Sequence, residues 1–290
     1  MGKEKKKEYY EENKEKEKEK AKERYEKNKE KIKEQRKERY EKNKEKEKES
    51  ETKRYVHRKK NALNSIATGV VVDKKEMDKW FNEIKRSAKR NKHPYSDDFT
   101  SDVMFDMMIQ GCFYCGDIAT TIDRIDSKLD HIHNNCVSSC HGCNMAKGVA
   151  DSSTFIRKAY YRVCRKYYDD DTDIWFVHKN KPRLDQYKRK AEKQGVVFDL
   201  TLETLDNLVK GDCAYCHRVP ITWFGIDRVV PSQGYVLDNV VPCCLDCNVD
   251  KLEDDVNTTR MRNERIVDRV VSGQLIIPKC DKVILHMGTR

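Results

Sequence analysis

Eight of the twelve cysteines fall in four Cys-x-x-Cys pairs: Cys112 with Cys115, Cys140 with Cys143, Cys213 with Cys216, and Cys244 with Cys247. Two such pairs brought together supply four soft thiolates, the set that holds structural zinc in a closed tetrahedral site. Between the opening and closing pair of each set stands the same tripeptide: Ile122, Asp123 and Arg124 in the first, Ile226, Asp227 and Arg228 in the second. An asparagine follows at Asn135 or Asn239. Another comes directly after the last cysteine, at Asn144 or Asn248, with a lysine three residues on at Lys147 or Lys251.

From each aspartate onward the two sets match position for position at a constant offset, so the chain carries an internal duplication. Its period is too long for a solenoid repeat. The likeness extends upstream, because a basic helical segment and a second apolar helical segment precede Cys112 and Cys213 alike. The duplicated units cover about 80–165 and 184–272.

The chain of 290 residues has room for two ordinary domains and an extension. Residues 1–60 hold 26 Lys or Arg against 17 Asp or Glu, and the rest holds 34 against 33, so the net charge of +10 belongs almost entirely to the N-terminal segment. Two four-thiolate zinc sites, each of formal charge about −2, leave the folded part mildly acidic. Overall charge therefore gives no grip on phosphates, which must come from local basic patches and the extension. Met1 leads into Lys/Glu repeats without an apolar leader, and no stretch approaches a membrane span. These features predict an intracellular protein of the cytoplasm or nucleus, neither secreted nor in a membrane, in which paired cysteines bind metal. Cys136, Cys164, Cys243 and Cys280 lie outside the pairs and read as small apolar residues.

The elements that must position these residues follow from pattern. Residues 1–60 repeat every fifteen positions, marked by Tyr10, Tyr25, Tyr40 and Tyr55, and their Glu, Lys and Arg favour a long charged helix. One apolar residue per repeat makes no coiled-coil seam. Residues 61–79 read as a linker, 80–182 as a first module and 183–290 as a second. In the second module Ile226 to Val229 reads as a strand, Pro231 to Gly234 as a turn and Tyr235 to Leu237 as a returning strand, before a helix from Cys244. Basic segments follow each motif: Arg157, Lys158, Arg162, Arg165 and Lys166, then Arg260, Arg262, Arg265 and Arg269. Each is a solvated face or a phosphate contact. Leu275 to Leu285 reads as a terminal strand closing the second module.

The order Cys-x-x-Cys, Ile-Asp-Arg, Asn, Cys-x-x-Cys-Asn-x-x-Lys resembles the zinc-containing HNH endonucleases of the His-Me finger (ββα-metal) superfamily, with an endonuclease VII-like layout. The N-terminal repeats resemble those fused to such modules in large DNA viruses. The resemblance implies an α+β fold of two tandem zinc-stapled ββα-metal modules with flanking helices, acting on DNA as a metal-dependent endonuclease. It makes the eight paired cysteines ligands of two structural Zn2+ ions. It makes Asp123 with Asn144, and Asp227 with Asn248, ligands of a catalytic divalent cation, Mg2+ or another. Asn135 and Asn239 would orient the loop between the strands, and Lys147 and Lys251 would contact phosphate. No small-molecule cofactor is implied. Two modules in one chain could imitate a dimer, and the oligomeric state stays open.

One position departs from the family. The histidine that activates water there is Arg124 or Arg228 here, and arginine stays protonated. It could orient the phosphate or steady the charge of the pentavalent state. The base is left open among Tyr235, His131, His133, His217 and a metal-bound water, with ordinary strand-edge histidines the better reading for His131 and His133, and core or turn packing for Tyr235. A non-catalytic, zinc-stabilised nucleic-acid-binding protein is the alternative. Should one module be inactive, the first is expected to be, because Asp130 and His131 replace Gly234 and Tyr235.

Overall fold

The computed structural model describes residues 74–280 except 171, residue 282, and positions 13, 14, 16–23, 25, 34, 50, 53, 60 and 68. The chain divides into two units, Met1–Lys60 and Asn61–Arg290. In the first, every described position is helical, as the Lys/Glu composition predicts. The other residues of the expected long helix, and most of the expected linker, lie outside the described residues.

The second unit combines helices with three two-stranded sheets. The first copy begins with helix α1 (Lys74–Arg90) and helix α2 (Ser101–Met108). Strands β1 (Thr121–Arg124) and β2 (Cys136–Ser139) then pair antiparallel, with Asp123 opposite Val137. Helices α3 (His141–Lys147) and α4 (Ser152–Cys164) complete it. The second copy repeats the order with α5 (Leu184–Gln194), β3 (Phe198–Asp199) and α6 (Leu202–Leu208). Strands β4 (Gly225–Arg228), β5 (Tyr235–Val236) and β6 (Val240–Cys243) follow, then α7 (Leu245–Lys251) and α8 (Val256–Val271). β4 pairs antiparallel with β6, placing Asp227 opposite Val241.

Local chemistry sets the helix starts. Thr100, Asp151, Thr201 and Asp255 each accept a backbone N–H of the first turn with a side-chain oxygen. At α3 and α7 the cap is a sulfur: Cys140 Sγ accepts from Cys143 N at 3.3 Å and Cys244 Sγ from Cys247 N at 3.4 Å. The third thiolate of each quartet thereby also fixes where its helix begins. Gly234, at φ +78°, lets β5 pass against Val197, whose carbonyl oxygen would lie 2.3 Å from any Cβ there.

Each copy has a core of its own. Trp80, Phe81, Tyr95, Phe99, Met104 and Met108 form one, and Leu200, Leu205, Val209, Ile226 and Tyr235 another. Around the thiolate clusters the copies interpenetrate. Ile266 of α8, together with Leu275, enters the first copy's core beside Tyr114, Phe155 and Ile156, while Tyr161 of α4 packs on the second cluster. Burying one such aliphatic side chain stabilises by about 1.5–3 kcal/mol. Accordingly α4 packs along α8, and α3 on α7.

Buried ion pairs reinforce the contact. Lys158 Nζ meets Asp246 Oδ1 at 2.6 Å and Arg162 Nε lies 3.6 Å from Asp250 Oδ2 across the copies, while within the second copy Arg262 Nη1 meets Asp254 Oδ2 at 2.7 Å. Two sequence expectations change here. Lys158 and Arg162 are buried against carboxylates of the opposite copy and Arg262 against Asp250 and Asp254 of its own, so none of the three is presented to phosphate. The described part of the tail, 274–280, is irregular and is no strand; its Leu275 covers the first copy instead of closing the second.

Candidate metal centres and active-site cleft

The four cysteines of each set converge. In Cys112, Cys115, Cys140 and Cys143, and again in Cys213, Cys216, Cys244 and Cys247, one sulfur from each residue lies within 4.8 Å of all the others. None of the twelve cysteines is in a disulfide. The thiols perturb one another. Hydrogen bonds from their neighbours pull Cys112 and Cys213 far below the usual thiol range, whereas Cys143 and Cys247 are pushed well above it. Four sulfurs this close cannot all carry charge unless a cation joins them, so the donor set fits zinc.

The second cluster is fully buried, and Arg162 of the first copy donates Nε–H to Cys247 Sγ at 3.4 Å. Its guanidinium is held above its ordinary pKa by Asp250 and the cluster thiols, against the effect of burial. Arg218 stacks on Trp175, 3.7 Å from the ring centroid, beside the same thiols.

The aspartates sit at the centre of each strand pair, with only 6% of Asp123 and 7% of Asp227 exposed. Each takes a hydrogen bond from a tyrosine that the sequence reading did not single out: Tyr114 Oη to Asp123 Oδ2 and Tyr215 Oη to Asp227 Oδ2, both at 2.6 Å. Burial pushes both phenols above the usual range, so they remain O–H donors. The signal was available, since a tyrosine precedes the second cysteine of each opening pair.

Lys147 and Lys251, expected on phosphate, are turned inward. Their side chains are 0% and 2% exposed, and each ammonium lies 3.2 Å from its aspartate. Lys147 also donates to Ser127 Oγ, and Lys251 to the Arg228 carbonyl, both at 3.1 Å. A helix that aims its last-turn lysine at a buried carboxylate leaves no cation there for a ligand.

Asn135 and Asn239 tie down the loop between the strands. Asn135 Oδ1 accepts from Asp126 N, and its Nδ2 donates to the carbonyls of Asp126 and Asp130. Asn239 repeats this with Val230 N, Val230 O and Gly234 O at 2.8–2.9 Å. The arginines grip the same loop: Arg124 donates to the Ser127 and Leu129 carbonyls, Arg228 to Pro231 O.

Of the candidate bases, His131 and Tyr235 are packed, and His133 and His217 are exposed. His131 stacks on Tyr95 at 4.1 Å and its Nδ1 donates to His93 O, while burial lowers its pKa to about 4. Tyr235 is buried beside Tyr187 and Phe198, and burial raises its pKa, so it is a neutral phenol. His133 meets the Phe99 ring edge-on, and His217 is exposed.

The two copies then diverge. In the first, Tyr114 takes Asp123 Oδ2 and Lys147 takes Oδ1, and Asn144 Nδ2 donates to Thr121 Oγ1 at 3.0 Å. In the second, Tyr215 and Lys251 both land on Asp227 Oδ2. Among the described residues no hydrogen bond reaches Asp227 Oδ1. Glycine at 225 removes the hydroxyl that engages the first asparagine. Asp227, Arg228 and Asn248 line a cleft of about 420 Å³, with Lys190 of α5 and with His141 and Met145 of α3. Lys190 was read only as part of a basic helix; burial, then Arg228, lowers its pKa.

No helix among the described residues is long and apolar enough to cross a membrane. No family profile matches the chain, and no solved structure matches it. The chain is 30% identical over 159 residues to "Uncharacterized protein R423" of Acanthamoeba polyphaga mimivirus. That stretch covers 50% of this chain and 29% of the viral protein. The chain thus carries two four-cysteine groups, each able to hold a metal ion, and has a relative in a mimivirus.

Proposed function

We propose that the chain is a divalent-metal-dependent endonuclease that hydrolyses DNA phosphodiester bonds through an HNH-like site in its second copy. The observation that carries this reading is the state of Asp227. One oxygen is held by Tyr215 and Lys251, and the other accepts no hydrogen bond among the described residues, in the cleft that Asn248 and Arg228 share. A carboxylate and a carboxamide oxygen suit a hard cation. Held there by Asp227 and Asn248, such an ion would supply positive charge to offset the charge that grows on the leaving oxygen.

The chain's own groups supply the rest. Tyr215 and Lys251 orient the carboxylate. Asn239 fixes the loop from which Arg228 reaches the cleft. Arg228 stays charged and steadies phosphoryl charge instead of taking a proton. Lys190, at the cleft, takes the phosphate contact that the family resemblance gave to Lys251. The first copy, with Asp123 and Asn144 internally satisfied, serves as scaffold. The zinc clusters hold both strand pairs.

Plasmid nicking with Mg2+ tests the reading. Wild type is expected to nick, Asp227→Ala to lose turnover, and Asp123→Ala to keep it. No cleavage by wild type of duplex, single-stranded or branched DNA overturns it. Salt-sensitive DNA binding without hydrolysis would then identify a non-catalytic binding protein.

A further inference from the structure

Part of the wall of the second copy's cleft belongs to the first copy. His141 and Met145, on α3, line the same space as Asp227, Arg228 and Asn248. Both side chains are exposed, Met145 by 43%. Their placement follows from the packing of α3 on α7, the helix that carries Asn248. The turn is also braced from behind. Gly142 lies so close to Arg262 that an added Cβ would stand 3.1 Å from its Nη1, and Arg262 is itself anchored on the Asp250 carbonyl and the Asp254 carboxylate.

The arrangement is not reciprocal. The positions equivalent to His141 and Met145 in the second copy are Leu245 and Val249, which offer no flat ring and no thioether. An imidazole face accepts a stacked base, and a thioether adapts to an irregular apolar surface. We infer that the first copy is the substrate-holding wall of the second copy's site: His141 and Met145 contact the nucleotide that adjoins the phosphate seated at Asp227 and Asn248. This rests on the endonuclease reading. It gives the duplication a working role beyond stability, since the cleft is incomplete without the first copy.

The test uses the full zinc-loaded chain and a DNA strand carrying 4-thiothymidine. In the Asp227→Ala protein, which keeps the wall but is not expected to cut, photo-crosslinking should place an adduct on the tryptic peptide containing His141 and Met145. In the otherwise wild-type chain, the His141→Ala/Met145→Ala variant should raise KM for DNA about tenfold, the loss of one stacking contact, with kcat unchanged. Two zinc ions per chain and an unaltered melting temperature would show that the fold is intact. Wild type that cuts, with the variant equal to it in KM and the adduct elsewhere, overturns the inference and leaves the endonuclease reading standing. A wild-type chain that neither binds nor cuts overturns both.

Discussion

Asn144 donates its amide to the Thr121 hydroxyl at 3.0 Å, a bond that the second copy of the motif lacks. The second copy has Gly225 at the equivalent place, and Asn248 faces the cleft. Giving the second copy a hydroxyl should therefore silence it. Gly225→Thr is expected to weaken Mn2+ binding at Asp227 and Asn248 about fivefold, the worth of one hydrogen bond. Gly225→Ala is the control. It adds the Cβ, which meets Tyr187 Oη at 3.1 Å, without a hydroxyl. Electron paramagnetic resonance titration of Mn2+ reads the difference, and equal binding by both variants would refute the idea.

The exchange of helices between copies makes the zinc sites interdependent. Ile266 and Leu275 of the second copy close the first cluster's core, and Arg162 of the first copy bonds to Cys247 of the second. Cys213→Ser should reduce zinc from two ions per chain to one and lower the stability of both copies together. Trp80 reports on the first copy's core and Trp223 packs on the second's. Single-tryptophan variants should unfold in one coincident transition on chelation. Two separate transitions would show that each copy stands alone.

What the sequence made legible was whatever occurs twice. The cysteines, Asp123 and Asp227, and Asn135 and Asn239 stood out because a second copy confirmed their spacing; the returning strand did not, since Val240–Cys243 pairs with Gly225–Arg228 while Tyr235–Val236, expected in that place, pairs with Phe198–Asp199. Tyr114 and Tyr215 were equally repeated but hidden, since an aromatic beside a cysteine reads as core. The direction of Lys147 and Lys251 was not legible. A lysine in the last turn of a helix ordinarily points to water, and only the buried carboxylate across the strand pair reverses that. The helix exchange was invisible for a different reason: the apolar faces of α4 and α8 require a core to cover, and nothing in their periodicity says whose. His141 reaches the cleft through the packing of α3 on α7, and Lys190 through the packing of α5 on the second copy's own core, so no local pattern marks either.

His131 supplies a pH signature. Burial lowers its pKa to about 4, against roughly 6.5 in an unfolded chain. Between those values the unfolded state binds more protons, so stability rises with pH across the window. Its contribution is complete above about pH 6.5 and is lost as pH falls toward 4. His131→Phe retains a ring against Tyr95 and removes the titration. Urea unfolding from pH 4.5 to 7.5 should show a shallower slope for the variant than for wild type, and parallel slopes would exclude His131 as the source.

The two lysines of the second copy should separate cleanly into fold and ligand. Lys251 is buried against Asp227, so Lys251→Met leaves a buried carboxylate without its charge partner, a loss of about 3–5 kcal/mol. Its effect should appear as a lower denaturant midpoint. Lys190 lines the cleft and feels the charge of Asp227, but it makes no hydrogen bond or ion pair with that aspartate. Lys190→Ala should leave the midpoint in place and weaken DNA binding, reducing the slope of log K against log salt by about 1, one released counterion. Fluorescence anisotropy at several salt concentrations measures that slope. If Lys251→Met changed the slope while Lys190→Ala did not, the phosphate contact would return to the residue that the family resemblance first suggested, and the inward position of Lys251 would have to be a state that DNA displaces.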